Sequence, residues 1–311
     1  VTDEPQLGEP AKVGRLDTAE TAVVLSGRSH PAQPDGGVEG YRAKRTLPVR
    51  VELARQLRRR RTRLTLGFLL VLPVLLLLSF EIGDAGGRGR TFADMATSSG
   101  LNFAVFTLFA STGFLLVVVV ALFFGDTVAS EAFWSSLKYL LAAPVPRVRL
   151  LRQKAIVAGV LSLFGLALLT AVSLGVGVLW YGAGNLATIT GEAVPFPTGL
   201  VSLAAATAYL AVHLTWIAGL ALWLSVSTDA PLGAVGGAVV VSILSEILDQ
   251  ITALGSLRAY LPTHYSTAYA DLLGAEADWT EVAHGAFSAL AYAALFTALA
   301  IWRFHRKDIT S

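Results

Sequence analysis

The chain has 311 residues, 54% of them hydrophobic and 15% charged, with a net charge of +2 and no cysteine. Soluble domains carry about 25% charged residues, so this composition, with a mean hydropathy of +0.61, points to the bilayer as solvent. The lack of cysteine excludes structural disulfides and thiolate metal sites.

Residues 1–46 are rich in Pro, Gly, Asp, Glu and Thr and show no sustained apolar period. Such a segment cannot bury enough surface to offset its ordering entropy, and it is predicted to be a disordered cytoplasmic tail. At 47–63, LPVRVELARQLRRRRTR, the pattern changes: Val49, Leu53 and Leu57 recur at spacing four, with arginines on the other faces. Two readings fit, an interfacial helix lying apolar side down in the headgroups or a solvated basic helix that stops translocation. Both place it in the cytoplasm.

Six apolar runs follow, over Leu64–Ile82, Leu101–Phe124, Ala155–Trp180, Gly199–Val226, Leu232–Leu248 and Ala283–Trp302. Each is near the roughly 20 residues a spanning helix needs, and none alternates as a barrel strand would. Pro73, near the middle of the first run, predicts a kink there. The fold class is therefore all-α, a six-helix transmembrane domain over 64–311 behind the interfacial helix.

Orientation follows from Lys and Arg beside the runs. Fifteen fall on one side, in Arg50–Arg63, the 125–154 stretch and the C-terminal Arg303, Arg306 and Lys307; only Arg88, Arg90 and Arg258 fall on the other. An even number of spans with this asymmetry predicts both termini in the cytoplasm. The connection over 251–282 is then the longest outer loop, and its Tyr260, Tyr265, Tyr269 and Trp279 suit a segment folded back on the interface.

The 125–154 stretch, GDTVASEAFWSSLKYLLAAPVPRVRLLRQK, is the longest polar interruption between two runs. Its first half carries Asp126, Glu131 and Lys138, then come Pro144 and Pro146, and then Arg147, Arg149, Arg152 and Lys154. Two prolines two apart stop a helix. The pattern predicts a short helix over Asp126–Leu141, a rigid elbow, and a second helix running into the membrane. In the short helix Glu131 points outward, while Phe133, Leu137 and Leu140 form an apolar stripe.

No lysine follows a glycine, so the chain has no phosphate-binding P-loop. A nucleophile elbow and an HExxH are missing too, and the five histidines are scattered. No catalytic residue, metal site, cofactor or nucleic-acid partner is expected. Polar groups inside a membrane are functional candidates by default. Tyr209, His213, Trp216, Leu220 and Trp223 share a face of the fourth run, as a substrate-facing stripe or around a neutral histidine satisfied by a neighbouring helix. Ser242, Ser245, Glu246 and Asp249 share a face of the fifth, suited to a cation or a substrate amine, or simply solvated. Gly233 and Gly237, and Gly175 with Gly177, have the small-residue spacing of close helix contacts.

The central stretch resembles the bacterial ABC-2 type transporter permeases. Their cytosolic segment between the second and third helices reads as an acidic residue, a short helix, LLxxPVxR, and then a lysine. Here these are Glu131, Leu140-Leu-Ala-Ala-Pro-Val-Pro-Arg147 and Lys154. The basic helix before the first run, the LPTHY at Leu261–Tyr265 and the RFHRKDI at Arg303–Ile309 agree in order. Trp134-Ser-Ser136 departs from the Gly-Thr pair frequent in that family. The resemblance implies an export permease of the bacterial cytoplasmic membrane, two copies or a related pair working with two cytosolic ABC ATPase subunits. It implies that Asp126, Glu131, Lys138, Pro144, Pro146 and Arg147 couple to the ATPase; His213, Trp216, Glu246 and Asp249, singled out by their place in the apolar runs, are the candidates for the substrate path. A stand-alone secondary transporter, a membrane-embedded enzyme and an ABC-linked scaffold without transport are the alternatives that the residues leave open.

Overall fold

The computed structural model describes residues 48–83, 92–134, 146–188, 192–274 and 277–306. The 1–46 tail, Lys138, Pro144, Leu137, Leu140 and the 307–309 end of the C-terminal motif lie outside them. Helix α1 (Val49–Arg58) precedes α2 (Arg60–Ile82), and a short α3 (Phe92–Ala96) leads into α4 (Gly100–Thr112) and α5 (Leu115–Phe133). After α6 (Arg147–Tyr181) comes a two-stranded antiparallel hairpin, β1 (Leu186–Ala187) and β2 (Ala193–Val194), with Leu186 opposite Val194. The chain continues through α7 (Phe196–His213), α8 (Thr215–Ser227) and α9 (Pro231–Asp249), two 3-10 segments at Thr252–Tyr260 and Ala268–Leu272, and α10 (Thr280–His305).

The chain is an all-α, multi-pass membrane protein. Among the described residues six helical stretches are long and apolar enough to cross a bilayer: α2, α5, α6, the α7–α8 pair, α9 and α10. The longest, α6, has 35 residues, which at 1.5 Å per residue is about 52 Å, well beyond the roughly 30 Å of hydrocarbon. Its first turns, with Arg147, Arg149, Arg152 and Lys154, therefore extend past the apolar slab.

Two expected continuous spans are each broken once. The second run is divided at Gly113–Phe114, where Phe114 takes φ −130 and ψ −57, outside helical values. The first half, α4, is only 13 residues long. Across this break Glu246 Oε1 lies 3.9 Å from where a Cβ on Gly113 would stand, a carboxylate beside the start of α5, where a helix dipole favours negative charge. The fourth run breaks at Leu214, between α7 and α8. Pro73 does lie inside α2. At the N-terminus Arg59 is extended, φ −66 and ψ 135, and this separates α1 from α2.

The centre of the bundle is α5 with the α7–α8 pair. Trp216, Ile217, Leu220, Leu210, Leu203 and Leu116 are all buried there. Helix α8 packs most extensively on α10, then on α5, while α4 packs on α6. Around this centre α2, α9 and α10 turn apolar faces outward: Leu70, Leu75 and Leu78, then Val240, Leu244 and Ile247, then Phe287, Leu290 and Leu295 are exposed. In a chain with six spans, such faces meet lipid tails, which are as apolar as the side chains themselves.

Candidate functional site

The most densely organised polar group in the described residues sits where α1, the end of α5 and the start of α6 meet. Each helix presents its charges there for a local reason. In α1, Val49 and Leu53 pack against the core, and Arg55, with Arg59 just past the helix end, reaches the end of α5. In α5, Asp126 and Ser130 lie one turn apart, and the Ser130 hydroxyl donates to the Asp126 carbonyl at 2.5 Å. The α5 end is itself tied down. The Ser225 hydroxyl of α8 accepts from both Val128 N and Ala129 N at 3.0 Å. Gly125 meets Val235 of α9 so closely that a Cβ would lie 2.9 Å from its side chain.

Glu131 is the hub. Its Oε1 accepts from Arg55 Nη2 at 2.6 Å and from Lys154 Nζ at 2.6 Å. Arg55 also donates to Glu52 Oε1 at 2.9 Å, Gln56 Nε2 donates to the same oxygen at 3.1 Å, and Lys154 stands 3.6 Å from it. Glu52, Arg55, Glu131 and Lys154 thus form a balanced quartet from three helices. Beside it Arg59 Nη1 donates to Asp126 Oδ2 at 2.9 Å, and Arg61 Nη1 donates to Asp126 Oδ1 at 2.7 Å. The Lys154 and Glu131 side chains are only 3% and 4% exposed, which decides how the pair must be weighed. Both ions have lost their water, and each is tolerable only because the other is present. Burial alone would push the Glu52 carboxyl up, but Lys154, Arg55 and Gln56 together outweigh it and hold that group below its ordinary value.

This corrects the sequence reading of Glu131. Asp126 and Glu131 ride on the last turns of the second span, α5, and Glu131 is buried there and not outward; residues 135–141 of the expected short helix lie outside the described residues. Glu131 faces inward because its partners Arg55 and Lys154 arrive from segments remote in sequence. Of the other proposed coupling residues, Pro146 caps the start of α6, and Arg147 Nη1 donates to the His305 carbonyl at 2.9 Å, joining α6 to the end of α10. Phe133 and Trp134, 61% and 73% exposed, pack edge to face with centroids 5.3 Å apart. They project from the same end of the bundle.

The remaining candidates lie elsewhere. Tyr209 stacks on His213 at 5.8 Å, and Trp216 is 1% exposed. The Tyr209 hydroxyl donates to the Tyr265 carbonyl at 2.6 Å. The stripe therefore faces the packed core, and Trp223 at its end stacks on Phe296 of α10. His213 Nδ1 is buried without a hydrogen-bond partner among the described residues. An unpaired buried polar atom costs stability, so replacing the whole group by an apolar one is close to neutral or favourable. His213→Leu is expected to leave the Tm in detergent unchanged or higher; a fall of several degrees would show that the imidazole has a partner. Glu246 lies beside Gly113, and Asp249 faces the connection that follows α9. Asp249 Oδ1 meets His264 Nδ1 at 2.5 Å, and its carbonyl accepts from Arg258 at 3.1 Å. With Ser245 and Thr263 bonded at 2.7 Å, this fastens the 251–279 connection to the end of α9. Among the described residues no group of three His, Asp or Glu side chains is placed to hold a metal ion.

Sequence reasoning missed Glu52, Arg55, Arg59 and Arg61 as site residues. A signal was present: Glu52 is the one acid in an otherwise basic helix, three residues before Arg55.

The spans and the charge quartet define a multi-pass membrane protein whose basic end is cross-linked by buried ion pairs. The family described as "Protein of unknown function (DUF2705)" matches residues 68–310, and the chain belongs to that family. The match spans α2 to α10, with Asp126, Glu131 and Lys154 inside it and α1 outside. No curated protein matches the chain.

Proposed function

We propose that the chain is the membrane subunit of an ATP-driven exporter of the ABC-2 type in the bacterial cytoplasmic membrane. It would work as a pair of subunits with separate cytosolic ABC ATPases. The observation that carries this reading is the quartet Glu52–Arg55–Glu131–Lys154 at the basic end. It locks α1 and the ends of α5 and α6 into one block on both sides of the 134–146 segment that bears the family-like motif. A partner pressing on that segment would move α5 and α6 together instead of bending one end, because the ion pairs bridge them. Exposed Phe133 and Trp134 supply an apolar contact surface on the same block, of the aromatic kind that anchors interfaces. The basic end is cytosolic in this reading, and the 251–279 connection lies outside.

Orientation is the first requirement. The chain has no cysteine, so single thiols can be introduced cleanly. Thiols at Ala183 and Gly274 are expected to react with a membrane-impermeant maleimide in intact cells, and those at Ala142 and Ser311 only after permeabilisation. One reversed position would overturn the orientation and the ATPase docking with it.

A further inference from the structure

At the end of the bundle opposite the charge quartet lies a cavity of about 600 Å³, bounded by α3, α4, β1, residues 269–274 and Asp278. That size falls in the roughly 300–1,000 Å³ range of small-molecule sites, which are mostly apolar with a few placed polar groups. Val105, Phe106 and Phe109, along one side of α4, form one wall, and Leu186 and Leu273 add to the apolar lining.

The polar groups are of two kinds. Asn102 is already committed: its Nδ2 donates to the Ala187 carbonyl at 2.8 Å, and its Oδ1 accepts from Ala187 N at 2.9 Å. It holds β1 in place and has little left for a ligand. Asp271 and Asp278 also line the cavity, and neither is in an ion pair among the described residues. Burial, then the nearby Asp278 and Glu281, raise the Asp271 carboxyl above its ordinary value. Two carboxylates thus stand at an apolar cavity, Asp271 half-buried in its lining and Asp278 exposed at its rim. Aromatic rings in the lining, Phe106, Phe109 and Tyr269, add the attraction that ring faces exert on cations.

We infer that this cavity binds an organic cation with a substantial apolar body, its charge at Asp271 and Asp278 and its body against Phe106 and Phe109. Apolar burial supplies the bulk of the attraction, and the carboxylates select the sign of the charge. The described walls all belong to this chain, so the inference is tested without an ATPase.

Two probes of one shape and opposite charge test it: the tetraphenylphosphonium cation and the tetraphenylborate anion. Each is titrated by equilibrium dialysis against nanodiscs holding the full chain, with binding to empty nanodiscs subtracted because both ions partition into lipid. Saturable binding of one phosphonium per chain, at least tenfold tighter than borate, is expected. The Asp271→Asn/Asp278→Asn variant should lose at least tenfold in phosphonium affinity. Asparagine at 278 can keep the cap that the Asp278 carboxylate gives Thr280 N at 2.9 Å. Val105→Trp, which fills the cavity, should abolish saturable binding. Equal binding of the two ions would overturn the inference without recourse to any variant. So would an unchanged affinity in the double asparagine variant, or a phospholipid that stays bound in native mass spectra and is not displaced by the phosphonium.

Discussion

Glu131→Ala is expected to be the most damaging single substitution at the basic end. It leaves Lys154, 3% exposed, as a buried charge without its 2.6 Å partner, and breaking a buried pair on one side costs about 3–5 kcal/mol. The readout is a large fall in Tm of the detergent-purified chain, with loss of monodispersity. A compensated variant separates charge from packing. Glu131→Leu with Lys154→Met removes both ions at similar volume, and such replacements are often neutral or stabilising. The pair should therefore recover most of the lost Tm, although Arg55 then keeps only Glu52. An alanine variant as stable as the parent would mean that water reaches Lys154 and that the quartet is a surface network.

Gly100→Ala is the second large effect. Helices α4 and α6 cross there backbone to backbone: a Cβ on Gly100 would stand 2.5 Å from Val178 N and 2.7 Å from the Gly177 carbonyl carbon. From the other side, a Cβ on Gly177 would stand 2.7 Å from the Gly100 carbonyl oxygen. Backbone cannot step aside as a side chain can, so the cost lies at or above the upper end of the 1–3 kcal/mol typical of overpacking. Gly175, two residues away on α6, has nothing within 4 Å of its missing Cβ. There alanine gains about 1 kcal/mol of helix propensity and should be neutral or stabilising. If Gly100→Ala and Gly175→Ala shift the Tm alike, the crossing is looser than described.

The same pair of glycines shows how far the sequence could be read. Spacing put Gly175 and Gly177 on equal terms, and only the crossing distinguishes them. Gly233 of the expected small-residue contact meets no neighbouring helix, whereas a Cβ on Gly237 would stand 3.2 Å from Leu224 of α8. The six spans were legible because length and hydropathy are local quantities. The start of α6 was legible because the Pro144–Pro146 pair interrupts a helix and proline is favoured at helix starts. The breaks at Phe114 and Leu214 were not, since neither carries a proline and Gly113 alone is too common a signal. Glu131 was misread for a different reason. Its helical spacing with Ser135 and Lys138 is local, whereas the pull of Arg55 and Lys154 comes from 76 and 23 residues away. A buried ion pair of that kind leaves no periodic trace.

The central claim is that this chain drives export with an ABC ATPase docked on its basic end. Its most direct test is ATP hydrolysis in proteoliposomes containing the full chain and a candidate ABC ATPase from the same genome, the partner the claim requires. The account expects the two to co-purify as a complex, with hydrolysis that differs several-fold from that of the ATPase alone. It also expects that change to be lost when exposed Phe133 and Trp134 are both replaced by serine, with the chain still folded. An ATPase that neither binds the folded chain nor changes its rate in its presence would contradict it.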